Sequence, residues 1–161
     1  KELLRQSSPP PLAMIHFGVA SSSSKIRIER RAVNCKSAEI ADVDGAYFKD
    51  TPIDDDFGLE FIRETSLDVA QLVARLQMMG IPVRESNDAG RYVCNSIYFH
   101  SLRYAQDLHP RAASLFVHVP SIGTSVEAAG VQFHWTEAQM LCAAQHIVQW
   151  VAHSQRMLAK R

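Results

Sequence analysis

The sequence of 161 residues has few cysteines, no excess of either charge and no long hydrophobic run. Its three cysteines are widely spaced and form no CxxC pair, which argues against a disulfide framework and a zinc site and favours a reducing compartment. Basic and acidic residues number 17 each, so no surface for nucleic acid or an anionic membrane is indicated. No apolar run reaches the length of a membrane span. We therefore expect a soluble, cytoplasmic protein that binds neither nucleic acid nor a membrane.

A glycine-rich phosphate loop is also missing after every predicted strand, which disfavours a nucleotide-binding module. A hydrophobic content of 47% over this length is enough for one substantial core, so we expect a single domain over residues 1–161. The chain starts at Lys1 rather than at a methionine, and residues 2–6 are typical of the end of a helix. We therefore expect the domain to be N-terminally incomplete.

Apolar strands alternate with helical patterns along the chain. Strands are predicted over residues 13–19, 25–34, 83–86 and 115–119, the first as a buried strand of a parallel sheet. Helices are predicted over 67–79 with Ser66 as N-cap, over 92–108, and after Thr136, which forms a capping box with Gln139. This alternation predicts a three-layer α/β/α fold with a mostly parallel twisted sheet.

Two segments lack these patterns and are predicted as loops. Residues 36–57 are rich in Asp and Gly and are interpreted as a long functional or mobile loop, and residues 121–135 as a second loop. The acidic run at 51–56 lacks the alternating ligands, central glycine and closing glutamate of an EF-hand. We interpret it as a solvated acidic turn and predict no metal site.

Cys94 stands where a small turn passes into a helical pattern. The first amides of a helix have no intrahelical partner and carry a partial positive charge, so a cysteine there is expected to have a lowered pKa and to be nucleophilic. The alternative is a buried cysteine that acts only as a small core hydrophobe.

His118 interrupts the apolar strand at 115–119. In an open α/β sheet the ligand crevice lies at the carboxyl ends of the strands. If the strands at 83–86 and 115–119 are neighbours, Cys94 and His118 meet at that crevice, as a nucleophilic thiol and its base require. A histidine that only satisfies a core hydrogen bond is the alternative.

Three sequence motifs, around Cys94, His118 and Glu29, resemble those of one family. Residues 88–95, DAGRYVCN, resemble the cysteine motif of the pyroglutamyl peptidase I family, and residues 116–120, FVHVP, are similar to its histidine strand. Residues 29–34, ERRAVN, resemble its ERxAxN segment, and 38–45 follow as its ARIPDNxG loop would. The motifs occur in the family's order.

The resemblance implies a cysteine omega-peptidase that removes N-terminal pyroglutamate from peptides and needs neither metal nor organic cofactor. Cys94 would be the nucleophile, His118 the proton acceptor and Glu29 the residue that orients the imidazole. By residues alone, Glu29 would instead be solvated in a half-polar strand. The family's pocket for the lactam ring corresponds to four further positions: Val19, Ile40, Tyr92 and Val93.

The chain departs from the family pattern in three ways. The family's first strand and its glycine- and phenylalanine-bearing loop have no counterpart. Glu39 stands where the family has an arginine near the oxyanion, and Ser21 and Ser22 replace a glycine pair. The alternatives are therefore a catalytically weak or inactive relative that binds peptide N-termini, and a non-functional fragment. Whether the protein is a monomer or a homo-oligomer is left open.

Overall fold

The computed structural model describes residues 11–38, 41, 45, 47–108, 112–128 and 130–158. Its strands are β1 (Ala13–Val19), β2 (Ile26–Glu29), β3 (Arg31–Val33), β4 (Lys36–Ala38), β5 (Phe48–Thr51), β6 (Ile62–Glu64), β7 (Val83–Ser86), β8 (Ala113–Val119), β9 (Ser125–Ala128) and β10 (Val131–His134). Its helices are α1 (Val69–Met78), α2 (Val93–Arg103) and α3 (Glu137–Leu158). A π-helical segment, Tyr104–Leu108, continues α2. None of the helices in these ranges is long and apolar enough to cross a membrane.

The central sheet has the strand order β1-β8-β2-β7. β1 is parallel to β8, and β2 is parallel to β7, but β2 and β8 are antiparallel. The expectation that the strands at 83–86 and 115–119 are neighbours is therefore wrong. β2 pairs with both of them, so β7 and β8 run in opposite directions and their carboxyl ends do not share one edge.

Helices cover both faces of this sheet, which confirms the three-layer α/β/α prediction. One face carries α1 and α3, whose apolar side chains pack with those of the strands, among them Ile28, Leu115 and Val117. On the other face, Tyr98 and Phe99 of α2 pack with the strand residues of that side. This second face, which we call the α2 face, holds the candidate site.

β1 forms one end of the described sheet. Phe17 and Val19 are exposed there, and Met14 is buried. The strand prediction for 13–19 is confirmed, but the expectation that this strand is buried is wrong. Only one of its long edges is covered by a described strand, β8.

The helix boundaries follow local capping chemistry. Asp68, not the predicted Ser66, caps α1 by accepting a hydrogen bond from the Gln71 amide at 2.9 Å. Gly80 follows the helix with φ +75°, a conformation that glycine adopts without strain. Thr136 and Gln139 form the predicted capping box before α3, with the Gln139 amide donating to Thr136 Oγ1 at 3.2 Å.

Both predicted loops contain strand pairs. β4 and β5 form an antiparallel pair within 36–57, and β9 and β10 form a hairpin within 121–135. The loop predictions for those residues are wrong. These strands are short and only partly buried, so they leave little apolar periodicity in the sequence.

Candidate active site

The site is built on β2, in which side chains alternate between the two faces of the sheet. Ile26 and Ile28 enter the core beneath α1 and α3, while Arg27 and Glu29 lie on the α2 face. Glu29 is fully buried. The expectation from residues alone, that this glutamate is solvated, is therefore wrong, because α2 covers the face that a short half-polar strand would otherwise expose to water.

Glu29 and His118 form a buried pair. The antiparallel register places Arg27 opposite His118 and Glu29 opposite Phe116, so all four side chains lie on the α2 face. His118 Nδ1 lies 2.8 Å from Glu29 Oε1, and the histidine is 5% exposed. Because a carboxylate accepts hydrogen bonds and cannot donate them, the neutral tautomer that fits this contact has its hydrogen on Nδ1 and its lone pair on Nε2. The imidazole is thereby oriented to accept a proton at Nε2.

Cys94 is the second residue of α2 and lies against β1 and β8. A Cβ added to Gly18 would lie 3.2 Å from Cys94 Sγ and 3.0 Å from Phe116 Cζ. Gly18 is the register partner of His118 in the β1–β8 pair. The thiol therefore lies over the strand pair that carries His118, in a space that the absent side chain of Gly18 leaves open.

The electrostatic environment of Cys94 differs from the expectation. Burial raises the pKa of its thiol, and the charge of Glu29 adds to this, while its own backbone amide and the guanidinium of Arg27 act in the opposite direction. The prediction of a lowered pKa is wrong in this structure, because desolvation of the thiolate outweighs the helix N-terminus. The resting form is a thiol, which needs a base to become a nucleophile.

Asn95 and Tyr98 connect α2 to the strands that hold the site. The buried Asn95 amide donates to the carbonyls of Val33 and Cys35, at 2.8 and 3.0 Å, and its oxygen accepts from the Val33 amide at 3.0 Å. The Tyr98 hydroxyl donates to the Glu29 carbonyl at 2.8 Å. These bonds hold the first turns of α2, and thus Cys94, relative to the backbone of Glu29.

A cavity of about 220 Å³ adjoins the start of α2. Its apolar wall comprises Phe48, Tyr92, Val93 and Ile97, and Lys36, Arg91, Ser96 and His100 also line it. Two of the four predicted pocket residues, Tyr92 and Val93, thus line one cavity, whereas Cys94, the next residue in the chain, does not line it. Val19 is exposed at the end of β1 and does not line this cavity. Ile40 and Glu39 lie outside the described residues.

The acidic run at 51–56 has a structural role that its composition did not reveal. Asp54 is buried and pairs with Arg103 of α2, although a solvated turn was predicted. The Asn34 side chain donates to the carbonyls of Asp54 and Phe57, at 2.9 and 2.8 Å. In the described ranges, no three His, Cys, Asp or Glu side chains lie together in a way that could hold a metal ion.

Three contributors to the site were missed in the sequence. Gly18 lies within the predicted strand at 13–19 and Asn95 ends the motif at 88–95, but neither residue was predicted to have a role in the site. Tyr98 lies four residues after Cys94, and this spacing places both side chains on one helix face. Helical spacing was therefore an available signal for Tyr98, whereas the contacts of Gly18 and Asn95 depend on strands that are distant in sequence.

The sequence of the chain is similar to those of known peptidases. The family model described as pyroglutamyl peptidase matches residues 4–142. The pyrrolidone-carboxylate peptidase of Pyrococcus furiosus is 37% identical over 112 residues, which are 70% of this chain and 53% of that protein. The enzyme of that name from Alkaliphilus oremlandii is 33% identical over 110 residues, 68% of this chain and 51% of that protein. The chain thus spans about half the length of these relatives.

Solved structures show the same similarity. A mutant pyrrolidone carboxyl peptidase from P. furiosus superposes with a TM-score of 0.80 and 28% identity, covering 95% of this chain and 74% of that one. The pyrrolidone carboxyl peptidase of Fervidobacterium islandicum AW-1 gives a TM-score of 0.74 and 27% identity, covering 88% and 69%. The likeness therefore extends over most of the described fold.

Proposed function

The chain belongs to the pyroglutamyl peptidase family, and from that premise we propose that it is a cysteine omega-peptidase that removes N-terminal pyroglutamate from peptides. The observation that carries this proposal is the buried Glu29–His118 pair, 2.8 Å apart, on the face where the Cys94 thiol lies. A thiol, a base and a group that orients the base are the components of nucleophilic catalysis. The widely spaced cysteines favour a reducing compartment such as the cytoplasm.

In the proposed reaction, Cys94 Sγ attacks the carbonyl carbon between the lactam ring and the next residue. His118 Nε2 accepts the thiol proton, and the new C–S bond gives a tetrahedral intermediate. The protonated imidazole then passes its proton to the leaving amine as the C–N bond breaks, which leaves a thioester on Cys94. Water attacks the thioester with His118 as base, and the C–S bond breaks to release pyroglutamate and the free thiol.

Because the pKa of Cys94 is raised, His118 is needed to remove the proton from the resting thiol. At neutral pH the thiol is protonated at rest, so proton transfer to the imidazole accompanies or precedes attack. Glu29 fixes the tautomer that makes this transfer possible and stabilises the imidazolium that forms. Its complete burial strengthens both effects, because no water competes for the carboxylate.

The developing oxyanion needs hydrogen-bond donors. The first amides of α2 lack intrahelical partners and point toward the region before the helix, where a carbonyl bound to Cys94 would lie. Removing one such donor from an oxyanion hole costs about 2.7 to 4 kcal/mol. The amides at the start of α2 are therefore the proposed oxyanion donors.

The cavity beside α2 supports a small, neutral ring as the specificity element. Its Tyr92 and Val93 side chains present apolar surface that suits a planar lactam. The backbone at Val19, which lies outside this cavity, is proposed by resemblance alone to bind the polar edge of the ring. Ile40 is proposed as a further pocket residue by resemblance. A free amino-terminal group would bring a charge into this apolar wall at a desolvation cost.

One observation favours a second candidate, a weak or inactive relative that binds peptide N-termini. Burial keeps the Cys94 thiol protonated, which slows any enzyme whose base is poorly placed. The test compares release of a fluorescent amine from pyroglutamyl, prolyl and glutaminyl amides. We expect cleavage of the pyroglutamyl amide alone. Binding of a pyroglutamyl peptide without cleavage would instead favour the relative that only binds.

A further inference from the structure

One charged side chain beside the site has no role in the proposed function. Arg27 lies two residues before Glu29 and shares its face of β2, and its side chain is only 20% exposed. Its register partner on the adjacent strand β8 is His118. A guanidinium on this face is therefore adjacent to both members of the buried pair, in a position where desolvation strengthens its influence.

Arg27 and His118 meet at the same atom of Glu29. Arg27 Nε lies 3.3 Å from Glu29 Oε1, and that oxygen is also the one 2.8 Å from His118 Nδ1. Among the described residues, neither Arg27 Nε nor the second carboxylate oxygen, Oε2, has a hydrogen-bond partner, although both atoms are buried. The guanidinium is thus held next to the carboxylate by charge and burial, and not by a well-formed hydrogen bond.

The arrangement lets one charged side chain restrain another. A guanidinium and a carboxylate attract strongly in a medium of low polarity, so Arg27 restrains the Glu29 carboxylate in the position from which Oε1 contacts His118 Nδ1. A carboxylate without this restraint would orient the imidazole less well for proton transfer from the thiol.

We propose that Arg27 is a positioning residue that acts through Glu29: its guanidinium holds in place the carboxylate that orients His118. The inference rests on the proposed function for its catalytic meaning. Its electrostatic part stands on the contacts of Arg27 alone. The guanidinium also lowers the pKa of the nearby Cys94 thiol, so it favours the reactive thiolate form of that residue.

Other groups that face the pair come from three neighbouring elements. Cys94 and Tyr98 approach from α2, and the Tyr98 hydroxyl bonds the Glu29 carbonyl. His16 of β1 lies on the same face, and its Nε2 bonds Ser101 Oγ at 2.9 Å. Arg84 of β7 is the register partner of Arg27 and is exposed. Of the two arginines, Arg27 contacts the buried carboxylate of Glu29, whereas Arg84 is exposed to solvent.

The test is the pH dependence of two reactions in the full chain carrying Arg27→Gln. The guanidinium lowers the pKa of the Cys94 thiol, so its removal moves the limb of the kcat/KM profile that reports this thiol upward, by about one pH unit at the low end of the usual range for a neighbouring charge. The midpoint for alkylation of Cys94 by iodoacetamide moves in the same direction, while those of Cys35 and Cys142 stay in place. Midpoints that do not move overturn the proposal.

Two further variants separate charge from packing. Arg84→Gln removes one positive charge at the same level of the adjacent strand, and we expect wild-type midpoints. Arg27→Lys keeps the charge and restores the profile even where Arg27→Gln folds poorly. A purely structural role would lower kcat in both Arg27 variants without shifting the pH profile, and this result also overturns the proposal. If the wild type cleaves no pyroglutamyl amide, the proposed function fails, whereas the Cys94 alkylation profile still decides the role of Arg27.

Discussion

Gly18 lies so close to Cys94 that a methyl group in its place would press against the thiol sulfur. A Cβ at position 18 would lie 3.2 Å from the thiol sulfur and 3.0 Å from Phe116 Cζ, distances tighter than nine in ten real Cβ contacts, so the thiol or the ring would have to move by a few tenths of an ångström. The glycine therefore sets how closely the Cys94 thiol approaches the strand pair that carries His118. A position that appears in the sequence as an ordinary strand glycine is part of the geometry of the site.

Replacing Gly18 by alanine is expected to displace the thiol and reduce kcat about ten- to a hundredfold, because small displacements of reacting groups are costly. Steady-state kinetics with a pyroglutamyl amide measures the effect. Gly58→Ala is the matched control, since a Cβ there meets nothing within 4 Å and we expect no change. Equal kcat values for both variants would show that the thiol tolerates the methyl group.

Replacing Glu29 by glutamine is expected to reduce kcat by about 10² to 10⁴. The amide preserves the shape of the carboxylate, but it no longer stabilises the imidazolium and can hold the wrong tautomer, and the corresponding change in a serine triad costs about 10⁴. The control is Glu85→Gln, on the next strand, whose carboxylate pairs with Arg30 near the surface. A Glu29→Gln enzyme with near-wild-type kcat would exclude a catalytic role for the buried pair.

The burial of His16 is expected to make the stability of the folded protein depend on pH. Burial lowers the pKa of this histidine below its ordinary value of 6.5. The folded state therefore binds a proton less readily than the unfolded state. The stability that the protein gains from keeping His16 neutral is fully present above about pH 6.5 and is lost as the pH falls through the lowered pKa of the folded state. We expect His16→Gln to lose less stability than the wild type between about pH 7.5 and pH 5 in urea unfolding.

The exposed His134 supplies the comparison for this titration. His134→Gln is expected to follow the wild-type pH dependence, because the side chain is exposed at the end of β10. Parallel curves for the wild type and both histidine variants would mean that burial of His16 does not affect its titration.

Asn95→Ala is expected to destabilise the protein by at least about 2 kcal/mol. The side chain makes three hydrogen bonds to the backbone of Val33 and Cys35, and each buried group left unpaired costs about 1 to 3 kcal/mol. Urea unfolding measures the loss, with the exposed Asn87→Ala as control. A variant as stable as the control would show that water replaces these bonds without cost.

Features that depend on neighbouring residues could be predicted from the sequence, and features that depend on distant segments could not. Helix boundaries set by Gly80 and by the Thr136–Gln139 capping box could be predicted, because the residues that make them are three or four positions apart. The three-layer fold followed from the alternation of patterns. The strand order did not, since nothing local in β7 or β8 specifies that β2 lies between them.

The same distinction applies to the candidate site. The nucleophile could be proposed from its place at a helix start, but the sign of its pKa shift depends on burial by distant strands. Glu29 was a solvated strand residue by composition, and only the family resemblance suggested its role. Its burial depends on α2, which crosses the α2 face more than 60 residues later in the chain.

The most direct measurement is release of a fluorescent amine from a pyroglutamyl amide by the wild type, by Cys94→Ala and by Cys142→Ala. Cys142 is exposed on α3 and provides the matched cysteine control. We predict that the wild type and Cys142→Ala cleave the amide equally and that Cys94→Ala has no activity. Cleavage by a folded Cys94→Ala protein, or its absence from a folded wild type, would contradict a cysteine peptidase built on Cys94, His118 and Glu29.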